Sequence, residues 1–364
     1  MMKTKEQFLH ILSRFQQDDT VVSVEPFGNG HINDTLKVCV AGGAPKYILQ
    51  RINHHIFTDV EMLMNNICIV TAHIRRKLEE RAEEDIDRKV LTFIPAKDGK
   101  YYYFDGENYW RLCLFIPRSR SYEAVTPELS HKAGRAFGDF QSMLADIPEG
   151  RLGETIPNFH NMEFRLQQFR DALKANAAGR AGEVEDLIHE INKRARGMCI
   201  QEDLYRAGKL KKRINHCDTK VNNVMFDEEG NVLCVIDLDT VMPGFVLSDI
   251  GDFIRTGANT GAEDDENLDN VSVNMETFKA YAEGYMETAE SFITPLEISL
   301  LPYGGRLLTY MQTVRFLTDY INGDTYYKIH RAGHNLQRAE AQFKLLQSLE
   351  GHAGEMDSFM GKWL

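Results

Sequence analysis

The chain has 364 residues, too many for one simple core, and length alone favours two domains or lobes. Its composition is that of an ordinary globular protein, 43% hydrophobic and 26% charged, and a net charge of −12 argues against a nucleic-acid partner, which would require a basic face. No apolar run approaches about 18 residues, so no membrane span is expected.

The N-terminal segment, Met1 to Phe8, lacks an apolar signal core and reads as the start of an amphipathic helix. Short β-branched or aromatic runs follow at Val21–Val24, Leu36–Val40 and Lys46–Ile52, with Gly42-Gly43-Ala44-Pro45 as the turn between the last two. Val60, Leu63, Met64, Ile67 and Val70/Thr71 recur at helical spacing. Two more strands are predicted at Tyr101–Phe104 and Tyr109–Ile116, separated by an Asp105-Gly106 turn.

After Ile116-Pro117 the pattern changes. Thr126-Pro127-Glu128 is a helix start, with Thr as N-cap and Pro in the first turn, and Leu129, Ala133, Phe137, Phe140 and Leu144 continue it. Most of the remainder reads as helix, apart from one hairpin near 221–239. The expected fold class is α+β, with a small β-rich N-lobe over 1–114, a hinge near 114–118 and a larger, mainly helical C-lobe over 115–364. The six cysteines are scattered, with no C-x-x-C pair, which argues against zinc and for free thiols in a reducing, cytoplasmic setting. The one basic run, Lys209 to Arg213, reads as a solvated loop.

The strongest local signal is His216-Cys217-Asp218-Thr219-Lys220-Val221-Asn222-Asn223, which fits H-x-D-x-x-x-x-N, the catalytic-loop spacing of kinase-like phosphotransferases. In that chemistry an Asp accepts the proton of an attacking hydroxyl, and an Asn five residues on reaches the metal that neutralises the triphosphate. Two short strands, Val224–Phe226 and Val232–Ile236, flank the turn Asp227-Glu228-Glu229-Gly230-Asn231. Their antiparallel pairing carries Asp237 back beside Asn223, and the two oxygens suit a hard cation, Mg²⁺. Lys220 reads either as a contact to the γ-phosphate or as an exposed loop lysine. Asp249 reads either as an anchor behind the catalytic loop or as an acid offsetting the dipole of a helix starting at Ser248. His216 and Cys217 read as packing residues.

Gly28-Asn29-Gly30-His31-Ile32-Asn33 lies between two strands, where backbone N–H groups can approach phosphates. The third strand has no lysine for the α/β-phosphates. Gln50 stands nearest that position with Arg51 beside it, and alternation lets only one of them face a nucleotide.

With these residues together, the chain resembles the aminoglycoside phosphotransferase-like kinases, and within that family the N-acetylhexosamine 1-kinases. The resemblance spans nearly the whole chain. It is carried by Glu25 to Asn33, Tyr47-Ile48-Leu49-Gln50, Ala136 to Gln141, Asp218-Thr219-Lys220, Ile236 to Thr240 and Arg315 to Tyr320. It implies transfer of the ATP γ-phosphoryl group to the C1 hydroxyl of N-acetylglucosamine or N-acetylgalactosamine, with Mg²⁺. It implies Asp218 as base, Asn223 and Asp237 at the metal, and Leu114-Phe115-Ile116 as the purine hinge. It further implies sugar contacts from Arg315 and Tyr326. By spacing alone Arg315 reads as an i,i+4 partner of Asp319, and Tyr326 as helix-end packing.

A kinase for another small hydroxyl compound, such as an aminoglycoside, choline or homoserine, is a second reading. The acidic run Glu263-Asp264-Asp265-Glu266 could attract a polycation, although it also reads as a solvated loop. A nucleotide-binding pseudokinase is the third, supported by Gln50 and opposed by Asp218, Asn223 and Asp237.

Overall fold

The computed structural model of the protein describes residues 3–28, 32–148 and 150–364. The chain forms two compact units, one of Met1–Ser121, Asp146–Pro157 and Asn222–Met242, the other of Tyr122–Ala145, Asn158–Val221 and Pro243–Leu364. Sequence spacing put a boundary at 114/115 with the 221–239 hairpin in the C-terminal lobe. The first unit instead runs on to Ser121 and takes most of that hairpin in.

The first unit opens with helix α1 (Lys5–Leu12), closed at its start by a capping box between Thr4 and Gln7. Strands β1 (Val21–Pro26), β2 (Asp34–Val40) and β3 (Pro45–Ile52) follow. Gly42 and Gly43 both take positive φ, the requirement for a tight turn from β2 into β3. Asp59 then caps α2 (Val60–Glu80), which is longer than the apolar spacing predicted. A single turn, α3 (Ile86–Lys89), leads to β4 (Phe93–Ile94), β5 (Tyr103–Phe104) and β6 (Tyr109–Leu114). The sheet runs β1-β2-β3-β6-β4, with β5 also on β6, and its pairings are antiparallel. The ladder of β6 ends two residues sooner than expected as the chain nears Pro117, which has no N–H to pair.

The pleat sorts this sheet into two faces. Leu36, Val38, Tyr47, Leu49, Trp110 and Leu112 pack with Phe8, Ile11 and Leu12 of α1 into one apolar cluster. Thr35, Gln50 and Arg111 stand in register across three neighbouring strands on the alternate face. The hairpin of the same unit pairs Val224–Phe226 with Val232–Val235, and its turn is held by Asp227 Oδ1, which accepts from the Asn231 N–H.

The second unit is mainly helical, with α4 (Pro127–Leu144), α5 (Met162–Ala175), α6 (Glu185–Arg194), α7 (Ile200–Arg206), α8 (Val246–Gly257), α9 (Met275–Ala289), α10 (Pro295–Asn322), α11 (His334–Gly351) and α12 (Ala353–Met360). Thr126 caps α4, and Pro127 occupies its first turn, as the sequence predicts. Helices α4 and α9 meet backbone to backbone. A Cβ at Gly284 would lie 2.0 Å from the His131 carbonyl oxygen, so only glycine fits there. No helix among the described residues is long and apolar enough to cross a membrane. The six cysteines are free thiols.

Candidate active site

In the second unit the segment after Asn215 is built around one buried carboxylate. Asp249, in the first turn of α8, accepts from the backbone N–H of His216 at 2.9 Å and of Cys217 at 2.7 Å, and from Gln141 Nε2 at 2.7 Å. Its own carbonyl accepts from the Thr219 hydroxyl, and Gln141 is held in turn by the Tyr285 hydroxyl. Burial pushes the Asp249 carboxyl up to about 6 against the opposing pull of those N–H groups. Of the two sequence readings of Asp249, the anchor is the one observed. The helix begins at Val246, two residues before Ser248, so Asp249 points at the loop from inside the first turn.

This anchoring holds Cys217 at φ +63°, a left-handed conformation that a cysteine seldom adopts. His216 is fully buried against the edges of Phe137 and Phe140, and its Nδ1 accepts from the Asp218 N–H at 3.3 Å. The loop therefore presents Asp218, partly exposed, with its backbone tied on both sides. Lys220 Nζ lies 2.7 Å from Asp218 Oδ1. The carboxylates of Asp218 and Asp252 raise the Lys220 pKa despite its desolvation. Lys220 is thus an ion-paired neighbour of the carboxylate, not a loose surface lysine. Behind it, Asp252 pairs with Arg255 at 2.8 Å, and Arg255 with Glu263 at 2.6 Å.

The acidic run is not simply solvated. Glu263 holds Arg255, Asp264 holds His334 at 2.8 Å, and Asp265 accepts from the Asn267 N–H.

A cleft of about 490 Å³ in the same unit brings Arg315 and Tyr326 together, with Arg165, Thr318 and Tyr327 also in its wall. Asp218 is not among its lining residues. Arg315 does not pair with Asp319 as i,i+4 spacing suggests. Its guanidinium lies over the rings of Phe159 and Tyr327, 5.3 and 5.6 Å from their centroids, and Nη1 donates to Gln312. The Asp319 carboxylate is taken up by the N–H groups of Thr325, Tyr326 and Tyr327 and by Asn335. That network fixes the loop after α10 and leaves Tyr326 61% exposed, its ring edge-on to Tyr327 and not packed into the helix end. His160, stacked on Phe159, is held neutral: burial and then the charges of Arg315, Arg165 and Arg255 push its pKa down to about 3, opposed by Asp218.

In the first unit, Gly28 takes φ +73°, while Gly30 and His31 lie outside the described residues. Gln50 stands on the face of β3 away from the apolar cluster, in register with Thr35 and Arg111. Its Oε1 accepts from Arg111 Nε at 2.9 Å, and its Nε2 donates to Thr35. Arg51 points to the opposite side, bonded to Asp34 and Asn108. Arg111 makes a two-pronged pair with Asp239, and both side chains are almost wholly buried. Asn33 joins the pair by donating to Asp239 and accepting from the Asn53 N–H. The amides of Asn33 and Gln50 are thus engaged at both ends.

Two residues before Asp239, Asp237 sits at φ 58°, ψ 60°, again left-handed. The Ile236 N–H donates to the Asn223 carbonyl at 2.9 Å, so the hairpin sets Asn223 and Asp237 at adjoining strand ends, as the spacing predicts. A buried amide and an exposed carboxylate, both hard oxygen donors, fit Mg²⁺. Among the described residues no group of three or more His, Cys, Asp or Glu side chains could hold a metal alone. Phe115 and Ile116 continue from β6, with the Phe115 N–H donating to the Lys46 carbonyl and its ring edge-on to Phe27 at 6.0 Å.

Arg111, Arg165 and His160 escaped the sequence reading. Arg111 alone left a trace, since a charge inside the apolar strand Trp110-Arg111-Leu112-Cys113-Leu114 calls for a buried partner.

Comparison with known proteins places these observations in context. The sequence profile of the phosphotransferase enzyme family matches residues 23–283. The structure is similar to an aminoglycoside phosphotransferase from Alicyclobacillus acidocaldarius, with a TM-score of 0.63, 12% identity and 98% of each chain covered. It is similar to the choline kinase of Cryptosporidium parvum, with a TM-score of 0.59, 13% identity and 99% of each chain covered. A Plasmodium vivax ethanolamine kinase has a TM-score of 0.55 and 13% identity, with 94% of this chain and 89% of that one covered. The fold is the kinase-like α+β fold that the sequence predicts, with a β-sheet N-terminal region and a mostly helical remainder.

Proposed function

Because the chain belongs to the phosphotransferase enzyme family, we propose that it transfers the γ-phosphoryl group of ATP to the anomeric C1 hydroxyl of N-acetylglucosamine or N-acetylgalactosamine. The observation that carries this reading is Asp218, presented on a loop that a buried carboxylate ties down, with Lys220 against it. Asp218 accepts the proton of the acceptor hydroxyl and holds that oxygen in line with the phosphorus. Lys220 leaves Asp218 for the transferring phosphoryl group, which frees the carboxylate as the negative charge arrives. The purine sits against Phe115 and Ile116. The phosphates lie along Gly28, Gly30 and His31, while Asn33 and Gln50 act through Asp239 and Arg111.

Asn223 and Asp237 would hold Mg²⁺, which would supply charge neutralisation for the phosphate oxygens. Turnover is expected to stop in excess chelator and to return with Mg²⁺ or Mn²⁺. Full turnover in chelator would remove both residues from this role.

The acceptor contacts are Arg315 and Tyr326. An exposed aromatic ring suits the apolar face of a sugar, and a guanidinium suits its hydroxyl and amide oxygens. The reading of Glu263 and Asp264 as a lure for choline or an aminoglycoside loses support, because these acids are already paired with Arg255 and His334. The pseudokinase reading loses its support, since a buried cation, Arg111, stands directly beside Gln50. A screen of free sugars, aminoglycosides and choline for acceptor-dependent ADP release separates these readings. ADP release with N-acetylhexosamines and a 1-phosphate product, identified in phosphorus NMR by coupling to the anomeric proton, is expected. A 6-phosphate, or release only with a cationic acceptor, would overturn the assignment.

A further inference from the structure

Arg165 and Arg315 stand on different helices, α5 and α10, yet both wall the same cleft. Among the described residues neither guanidinium lies within ion-pair distance of a carboxylate. Arg165 donates through Nε and Nη2 to the Phe159 carbonyl at 3.2 and 2.9 Å and through Nη1 to Gln168 at 2.8 Å. Arg315 makes one hydrogen bond, to Gln312 at 3.0 Å, and otherwise lies on aromatic faces. Each guanidinium carries five N–H donors, so both retain donors for a ligand.

Among the described residues the two acids in the wall form no ion pair with either arginine. Asp319 is saturated by three backbone N–H groups and Asn335, and Asp171 is exposed and accepts from Gln167. The cost of the arrangement is visible on Arg165, whose pKa falls to about 10 through burial and then through the charge of Arg315. A neutral sugar can use the donors but cannot offset two adjacent positive charges. An oxyanion can do both, and the bidentate match of guanidinium to phosphate favours it.

We propose that the cleft between α5 and α10 contains an oxyanion subsite, formed by Arg165 and Arg315, that binds the phosphate monoester of the acceptor more tightly than the neutral acceptor. The identity of the sugar rests on the function proposed above; the anion subsite does not. Phe159 ties the pair together, its carbonyl accepting from Arg165 and its ring lying under the Arg315 guanidinium, with His160 stacked on it. The nucleotide-free enzyme therefore retains its sugar 1-phosphate, which competes with fresh acceptor.

The test is calorimetric titration of the nucleotide-free full chain with N-acetylglucosamine, its 1-phosphate and inorganic phosphate. The 1-phosphate is expected to bind at least about tenfold more tightly than the sugar, the scale of one charge-assisted hydrogen bond. Inorganic phosphate should compete with it. Arg165→Gln should bring the ratio of the two affinities close to one, and Arg165→Lys, which keeps the charge, should restore most of it. Equal binding of sugar and 1-phosphate by the unmodified protein would overturn the proposal, as would a ratio untouched by Arg165→Gln. Inorganic phosphate that binds the unmodified protein but not Arg165→Gln, with no binding of the sugar, would keep the subsite and discard the hexosamine.

Discussion

Replacing Asp218 by Asn is expected to lower kcat by at least about 10²-fold, the range typical of a general base. The substitution keeps size and hydrogen-bonding reach and removes charge and basicity. A hemiacetal hydroxyl is more acidic than an ordinary alcohol, and phosphoryl transfer proceeds with little bonding to the nucleophile in the transition state. The loss therefore comes chiefly from misplacing the hydroxyl, which the amide can no longer hold as an acceptor on both oxygens. The backbone of the loop is secured by Asp249, so folding should survive. Sugar affinity, carried by other contacts, should change by less than about threefold. The asparagine also removes the partner that Lys220 holds at 2.7 Å. Steady-state kinetics over a range of sugar concentrations separates kcat from KM. A variant with near-normal kcat would remove Asp218 from the chemistry.

The largest expected loss of stability is at Arg111. Arg111→Met leaves the Asp239 carboxylate buried and without its counter-ion, a change that costs about 3–5 kcal/mol for a buried pair. Gln50 loses the Arg111 donor at the same time, while Asn33 keeps its bond to Asp239. The double variant Arg111→Met/Asp239→Leu removes both charges and should recover most of the loss, because the pair offsets its own desolvation only in part. The protein has two tryptophans, and Trp110 adjoins Arg111 in β6, so a Trp363→Phe background lets Trp110 fluorescence report urea unfolding of this unit alone. An unfolding free energy for Arg111→Met within about 1 kcal/mol of the parent would show that the buried pair does not stabilise this unit.

The local elements were legible because their signals are local. Short β-branched and aromatic runs marked β1 to β3, Gly42-Gly43 marked the turn between β2 and β3, and Thr126-Pro127 marked the start of α4. The pairing of Asn223 with residue 236 was legible too, since a short turn between two strands leaves one register. What the sequence could not show were pairings between residues far apart in the chain. Gln50 looked like a missing lysine until Arg111, 61 positions on, was found bonded to it. Arg315 and Asp319 have ideal helical spacing, yet three backbone N–H groups of the following loop take the carboxylate, and the half-buried guanidinium lies instead over the rings of Phe159 and Tyr327. Arg165 carries no mark of its own as a helix-surface arginine. Only the packing of α5 beside α10 sets it in the same cleft as Arg315, because the charge of a site is decided by which side chains meet, and that is a property of the tertiary structure.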